Sequence, residues 1–248
     1  MDRVTGTVPS ASGPIVFVVE NDVAGRQELE ALIRSAGWQP KTFAAGEEFL
    51  AQPRLLVTSC LVLGIPLQGL DALHLQQLLA DRSELPIIFV ASCVNIAMTV
   101  QAMKAGAFEF LARPFNEEAL LSALRQALER SNDALQRAAE ITTLRNRYLS
   151  LSLREREVLT LVVSGRLNKQ VGAELGISEI TVKAHRGHLM RKMGAGSLAG
   201  LVTMAATLGL GRVSDALPQN RPRVPRAAVI RSSGSNRYHG PIGIAVHV

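Results

Sequence analysis

Between Pro14 and Leu111, five short strand-like segments alternate with helical stretches, and no other feature of the chain constrains its fold as strongly. Pro14-Ile15-Val16-Phe17-Val18-Val19 is continuous, apolar and β-branched, the composition of a strand buried on both faces. Lys41–Phe43, a strand within Leu55–Leu63, Pro86–Val90 and Phe108–Leu111 follow as the second to fifth strands. Helices are expected over Gln27–Ala36, Glu47–Ala51, Leu73–Ala80 and Ile96–Ala105, the last ended by Gly106. Strands separated by helices of this length predict an α/β domain with a five-stranded parallel sheet covered on both faces. In such sheets function collects at the carboxyl ends of the strands. Those ends carry Glu20-Asn21-Asp22, Gly64, Ala91-Ser92-Cys93 and Arg113-Pro114.

The stretch from Leu151 to Leu210 is different, a small all-helical unit. Ser152 three residues before Glu155, ahead of an apolar run, is a capping box that starts a helix. Val158, Leu159, Val162 and Val163 recur at helical spacing until Gly165. A short helix over 168–175, the turn residue Gly176 and a second helix capped by Ser178 then form a helix-turn-helix. On the second helix Val182, Leu189 and Met193 share an inward face, which leaves Ile180, Lys183, Ala184 and Gly187 on the opposite stripe. Small residues at 184 and 187 let the backbone approach a base edge, and Lys183 can reach guanine acceptors or phosphate. Lys169, Arg186, Arg191 and Lys192 are expected to contact phosphates, and Ser178 and Thr181, at the start of the second helix, are expected to contact DNA as well. A helical hairpin with a merely solvated basic face is the bland alternative.

Arg-Glu-Arg-Glu-Val-Leu at 154–159, Asn-Lys-Gln at 168–170, Glu-Leu-Gly-Ile-Ser at 174–178 and Thr-Val-Lys-Ala-His-Arg at 181–186 resemble LuxR-type regulators. Leu153 departs from that pattern, standing where many relatives carry proline. The resemblance implies a four-helix DNA-binding domain whose last helix, Ser197 to Leu208, pairs two copies.

In the first half, Ala102 to Leu111 followed by Arg113-Pro114-Phe115, together with Cys60-Leu61-Val62-Leu63, resembles the receiver domains of FixJ-type response regulators over residues 14–125. The resemblance implies a flavodoxin-like receiver fold. It also implies a chemistry: acidic residues after the first strand hold Mg²⁺, and an aspartate after the third accepts phosphate. A Ser or Thr after the fourth strand and a lysine after the fifth then bind the phosphoryl oxygens. This chain departs at almost every such position. Glu20 keeps one carboxylate, Asn21 replaces the next, Gly64 stands at the phosphoacceptor position, Ala91 lacks the hydroxyl and Arg113 replaces the lysine. Glycine has no side chain to form an acyl phosphate. Asp22 and Asp71 are expected to cap helices rather than substitute for it. A salt bridge between Glu20 and Arg113, closing an empty pocket, is expected instead.

Charge is placed unevenly. Residues 1–149 hold 13 basic and 16 acidic side chains, residues 150–211 hold 8 and 4, and residues 212–248 hold 6 and 1. A polyanionic partner therefore belongs to the second half. Cys60 and Cys93 have no metal-ligand spacing, and their strand positions place them too far apart for a disulfide. Asn116 to Leu149 contains neither Gly nor Pro; Ala127, Ala134, Ile141 and Tyr148 recur every seven residues. Its first part, to about Leu128, is expected to cover the sheet, and the rest to form a helical linker able to pair between chains. No stretch reaches eighteen apolar residues, and Met1 to Gly13 lacks the order of a signal peptide.

The resulting expectation is a leader (1–13), a degenerate receiver (14–125), a helical linker (126–149), a LuxR-type domain (150–211) and a disordered basic tail (212–248). The expected function is non-enzymatic transcription regulation, independent of aspartyl phosphorylation, with no cofactor and no metal. The expected partners are double-stranded promoter DNA, a second copy of the chain and RNA polymerase, with no membrane, in a cytoplasmic, nucleoid-associated setting. Two rival readings are a conventionally phosphorylated regulator and an interaction protein that titrates another regulator by heterodimerisation.

Overall fold

A computed structural model describes residues 13–67, 69–93 and 95–210. The basic tail and all but the last residue of the leader lie outside the described residues. The first half runs β1 (Ile15–Val19), α1 (Val23–Ser35), β2 (Gln39–Phe43), α2 (Gly46–Leu50), β3 (Ser59–Ile65), α3 (Ala72–Leu78), β4 (Ile87–Ala91), α4 (Ile96–Lys104) and β5 (Glu109–Ala112). All strand pairs are parallel, in the order β2-β1-β3-β4-β5. That order belongs to the flavodoxin-like doubly wound sheets, in which the strand order reverses between β1 and β3.

The apolar strands divide their side chains between two cores with a period of two. Phe17, Val19, Leu61, Leu63, Ile87 and Phe89 enter one. Val16, Val18, Cys60, Val62, Ile88 and Val90 enter the other, where α1 and the start of α5 (Glu117–Leu149) cover them. Fully burying each such side chain stabilises the fold by roughly 1.5–3 kcal/mol, which explains why uninterrupted Val/Ile/Leu runs mark these strands.

Two local expectations shift. Helix α1 begins at Val23 rather than Gln27, because Asp22 Oδ2 accepts the Gly25 N–H at 2.7 Å and starts the helix early. Asp71 occupies the N-cap position of α3 but makes no side-chain cap hydrogen bond.

Helix α5 spans 33 residues. Its Leu120, Ala123, Leu124, Ala127 and Leu128 belong to the second sheet core, whereas Leu144 and Tyr148 pack against a third core. That core is built by α6 (Leu153–Val163), α7 (Asn168–Leu175), α8 (Glu179–Met193) and α9 (Leu198–Thr207) around Val158, Leu159, Val162, Val171, Val182, Leu189, Met193 and Leu201. No helix among the described residues is long and apolar enough to cross a membrane.

Candidate functional site

Two places carry the chemistry singled out in the sequence, and the first is the pocket at the carboxyl ends of β1, β3, β4 and β5. Glu20 follows β1 and is held by its backbone, its N–H donating to Phe43 O at 3.1 Å. Its side chain is buried, and Oε1 accepts the Asp22 N–H at 3.0 Å. The carboxylate lies over Gly64, so that a Cβ placed on Gly64 would stand 2.2 Å from Glu20 Oε2. Glu20 thus fills the space into which a side chain at residue 64 would project.

Arg113 follows β5 and reaches across the pocket. Its strongest partner is Glu28 on α1, with Nη1 to Oε2 at 2.5 Å. The expected Glu20–Arg113 ion pair is present as a long one, Glu20 Oε2 lying 3.9 Å from Nη2, while Glu28 is the closer partner of the guanidinium. Arg113 also lies over the Phe115 ring, 5.1 Å from its centroid. Ala91 is fully buried within β4, opposite Ile65, and the pocket wall there is formed by Ser92. Asn21 lines the same pocket beside Asp22. The sequence argument named neither Glu28 as the partner of Arg113 nor Ser92 as pocket wall. The first depends on how far an arginine reaches across two elements, which no spacing rule encodes.

Cys60 is buried in β3 and Cys93 exposed, and both are free thiols. Desolvation pushes the Cys60 thiol far up, which leaves it protonated and unreactive.

The second place is the helix-turn-helix. Ser152 and Glu155 form the capping box of α6 through reciprocal bonds of 3.2 and 2.8 Å. Gly176 ends α7 at φ 68° in the left-handed region, as a tight turn requires. Gly172 is a second requirement of the turn that composition hides: a Cβ there would meet Ile177 O at 2.7 Å. Ser178 caps α8, its Oγ accepting the Thr181 N–H at 3.1 Å and pairing with Thr181 Oγ1 at 2.8 Å.

Along α8, Val182, Leu189 and Met193 are buried, while Ile180, Lys183, Ala184, Gly187 and Arg191 are exposed. Lys183 Nζ lies 3.1 Å from Glu179 Oε1, a surface pair one turn apart. Lys169 projects from the first turn of α7 and is exposed. Arg186 is half-buried and donates to Asn168 Oδ1 at 3.0 Å, tying α8 to the start of α7.

Lys192, expected at a phosphate, is paired with a carboxylate of the same domain. Its Nζ donates to Glu155 Oε2 at 2.7 Å, so this amine closes an ion pair between α8 and the first turn of α6. Burial alone would raise the Glu155 carboxyl, but the Lys192 bond and the Ser152 backbone and hydroxyl outweigh it and hold the group below its ordinary range. A further contact joins the end of α5 to the same helix: Arg147 Nη1 donates to Met193 O at 3.1 Å, beside the left-handed Gly194.

Comparison with known proteins gives a consistent result. Residues 16–125 match the family described as response regulator receiver domain, and residues 149–205 match bacterial regulatory proteins of the luxR family. Nodulation protein W of Bradyrhizobium diazoefficiens is 44% identical over 206 residues, covering 83% of this chain and 91% of that protein. The response regulator protein TmoT of Ectopseudomonas mendocina is 40% identical over 195 residues, covering 78% of this chain and 89% of its own length. Among solved structures, the response regulator StyR aligns with a TM-score of 0.70 at 42% identity, covering 79% of this chain and 99% of that one.

Proposed function

The chain belongs to the bacterial response regulators that couple a receiver domain to a LuxR-type DNA-binding domain, and from that premise we propose that it regulates transcription without aspartyl phosphorylation. The observation that carries this reading is the Glu20 carboxylate seated over Gly64, where the family's nucleophile would be. The pocket does not fit Mg²⁺ in the family's manner. Asn21 offers no charge, residue 64 offers no ligand, and one Glu20 oxygen is committed to the Asp22 N–H. The Arg113 guanidinium, paired with Glu28, holds the pocket in one arrangement rather than two. The receiver half then acts as a fixed scaffold or a surface for a partner, and the chain is not an enzyme.

The DNA contacts are assigned to the helix-turn-helix. Lys183, Ala184 and Gly187 face the major groove. Ser178 and Thr181 sit at the entering end of α8, and Lys169, Arg186 and Arg191 serve the phosphates. Lys192 leaves that set because its amine is taken by Glu155. Two copies pair through α9, whose Leu198 and Val202 remain 42% and 40% exposed. A two-fold symmetric operator follows from such a pair. The acidic receiver half keeps the DNA on the basic half, and RNA polymerase is the further partner of this assembly. The setting is cytoplasmic and nucleoid-associated.

The test uses the full chain and a genomic fragment that it selects. Incubation with a small phosphodonor and Mg²⁺ should leave DNA affinity and dimerisation unchanged, and intact-mass measurement should find no acid-labile adduct. A stoichiometric adduct that raises DNA affinity would return the chain to conventional two-component signalling.

A further inference from the structure

At the first turn of α8 almost every polar group is already engaged. Ser178 Oγ accepts the Thr181 N–H and pairs with Thr181 Oγ1, and Glu179 pairs with Lys183. The side chain left projecting is Ile180, which is 79% exposed. An exposed isoleucine alone is unremarkable. Its position is what sets this one apart. At ~100° per residue, Ile180 lies about 140–180° from the buried Val182, Leu189 and Met193. Exposed Ala184, Gly187 and Arg191 continue the same stripe toward the carboxyl end. Ile180 therefore stands at the middle of the outer face and at the end of the helix that enters the groove first.

A β-branched apolar side chain there has no hydrogen bond to offer. The one apolar group that a base pair presents in the major groove is the C5 methyl of thymine. Small residues follow on the stripe at 184 and 187, so no bulky neighbour holds the helix away from the base edges. We propose that Ile180 is a specificity-determining residue that selects a thymine in each half-site by packing against its methyl group. The inference rests on α8 being the groove element. Lys183 then reads or anchors an adjacent position once DNA competes for the amine now paired with Glu179.

The test starts from sites selected by the full chain from a randomised duplex pool. Each thymine of the preferred site is replaced singly by deoxyuridine, which removes only the methyl. The dissociation constants of wild type and Ile180→Ala are then compared on every duplex. At one thymine per half-site, the wild type should lose about fourfold for one buried carbon group, and Ile180→Ala should be indifferent to the replacement. Ile180→Ala should also relax the selected base at that position while melting at the wild-type temperature. If Ile180→Ala retains the full methyl effect, another side chain makes the contact and the inference fails. A uniform loss across all duplexes assigns Ile180 to the backbone and overturns it equally. Selection of no site at all overturns the DNA-binding reading itself, an outcome separate from the first two.

Discussion

Glu20 Oε2 and Gly64 occupy one space: a Cβ added at residue 64 would approach that oxygen to 2.2 Å. Restoring an aspartate by Gly64→Asp therefore adds volume to a filled site and sets two carboxylates against each other. We expect a loss of ~1–3 kcal/mol from overpacking, with the like charges raising one carboxyl. Glu20→Ala combined with Gly64→Asp should recover most of that loss, a coupling that a double-mutant cycle in thermal or urea unfolding reads directly. Additive single effects would show that the two residues do not share the space.

Lys183 and Lys192, both on α8, should separate by readout. Lys183→Ala should weaken specific binding by ~1–3 kcal/mol if the amine reaches a base pairwise. Lys192→Ala should leave the salt slope of DNA binding nearly unchanged and lower the unfolding midpoint instead, since it strands the buried Glu155 carboxylate. Affinity measured across a salt series, beside thermal melts, distinguishes them. A salt slope that shrinks by about one for Lys192→Ala would restore its phosphate contact.

The Glu155 carboxyl is held below its ordinary value of 4.5 in the folded chain. Such a group contributes stability that is present above the unfolded value and lost as pH falls through the folded one. The helical domain should therefore lose stability with a steeper dependence below about pH 4.5 than at neutral pH. Glu155→Gln should be less stable at pH 7 and should lack that component of the acid transition. Melting curves of both proteins between pH 7 and 3 check the sign.

Residues 212–248 hold 6 basic and 1 acidic side chain. Deleting them should lower non-specific DNA affinity at low salt and flatten its salt dependence, because each phosphate neutralised releases counterions. The selected site should not change. Electrophoretic shifts on random duplex at two salt concentrations are sufficient to see the difference.

Much of this molecule is legible from residue order because its main signals are local. Apolar, mostly β-branched runs mark β1 and β4, and a Ser152–Glu155 box or a Gly176 turn reports on residues only a few positions away. The missing side chain of Gly64 is equally plain once its place at the end of β3 is known. What escapes is set by reach through space. Arg113 chooses Glu28, 85 positions away, and Lys192 chooses Glu155, 37 positions away. Both are long cations whose partners depend on how helices dock. Gly172 looks dispensable in a helix until the Ile177 carbonyl is seen against it.

Helix α5 is anchored at Leu120–Ser131 by one core and at Leu144–Tyr148 by another. Between them, residues 132–143 present mostly exposed side chains and depend on their own backbone bonds. With both ends clamped, what this span transmits is angular phase. One inserted residue turns one anchor by ~100° against the other, whereas seven turn it by only ~20°. Operator affinity of the dimer should therefore oscillate with linker length, falling for insertions of one or two residues and returning at seven, although the longer insertion moves the anchors farther apart.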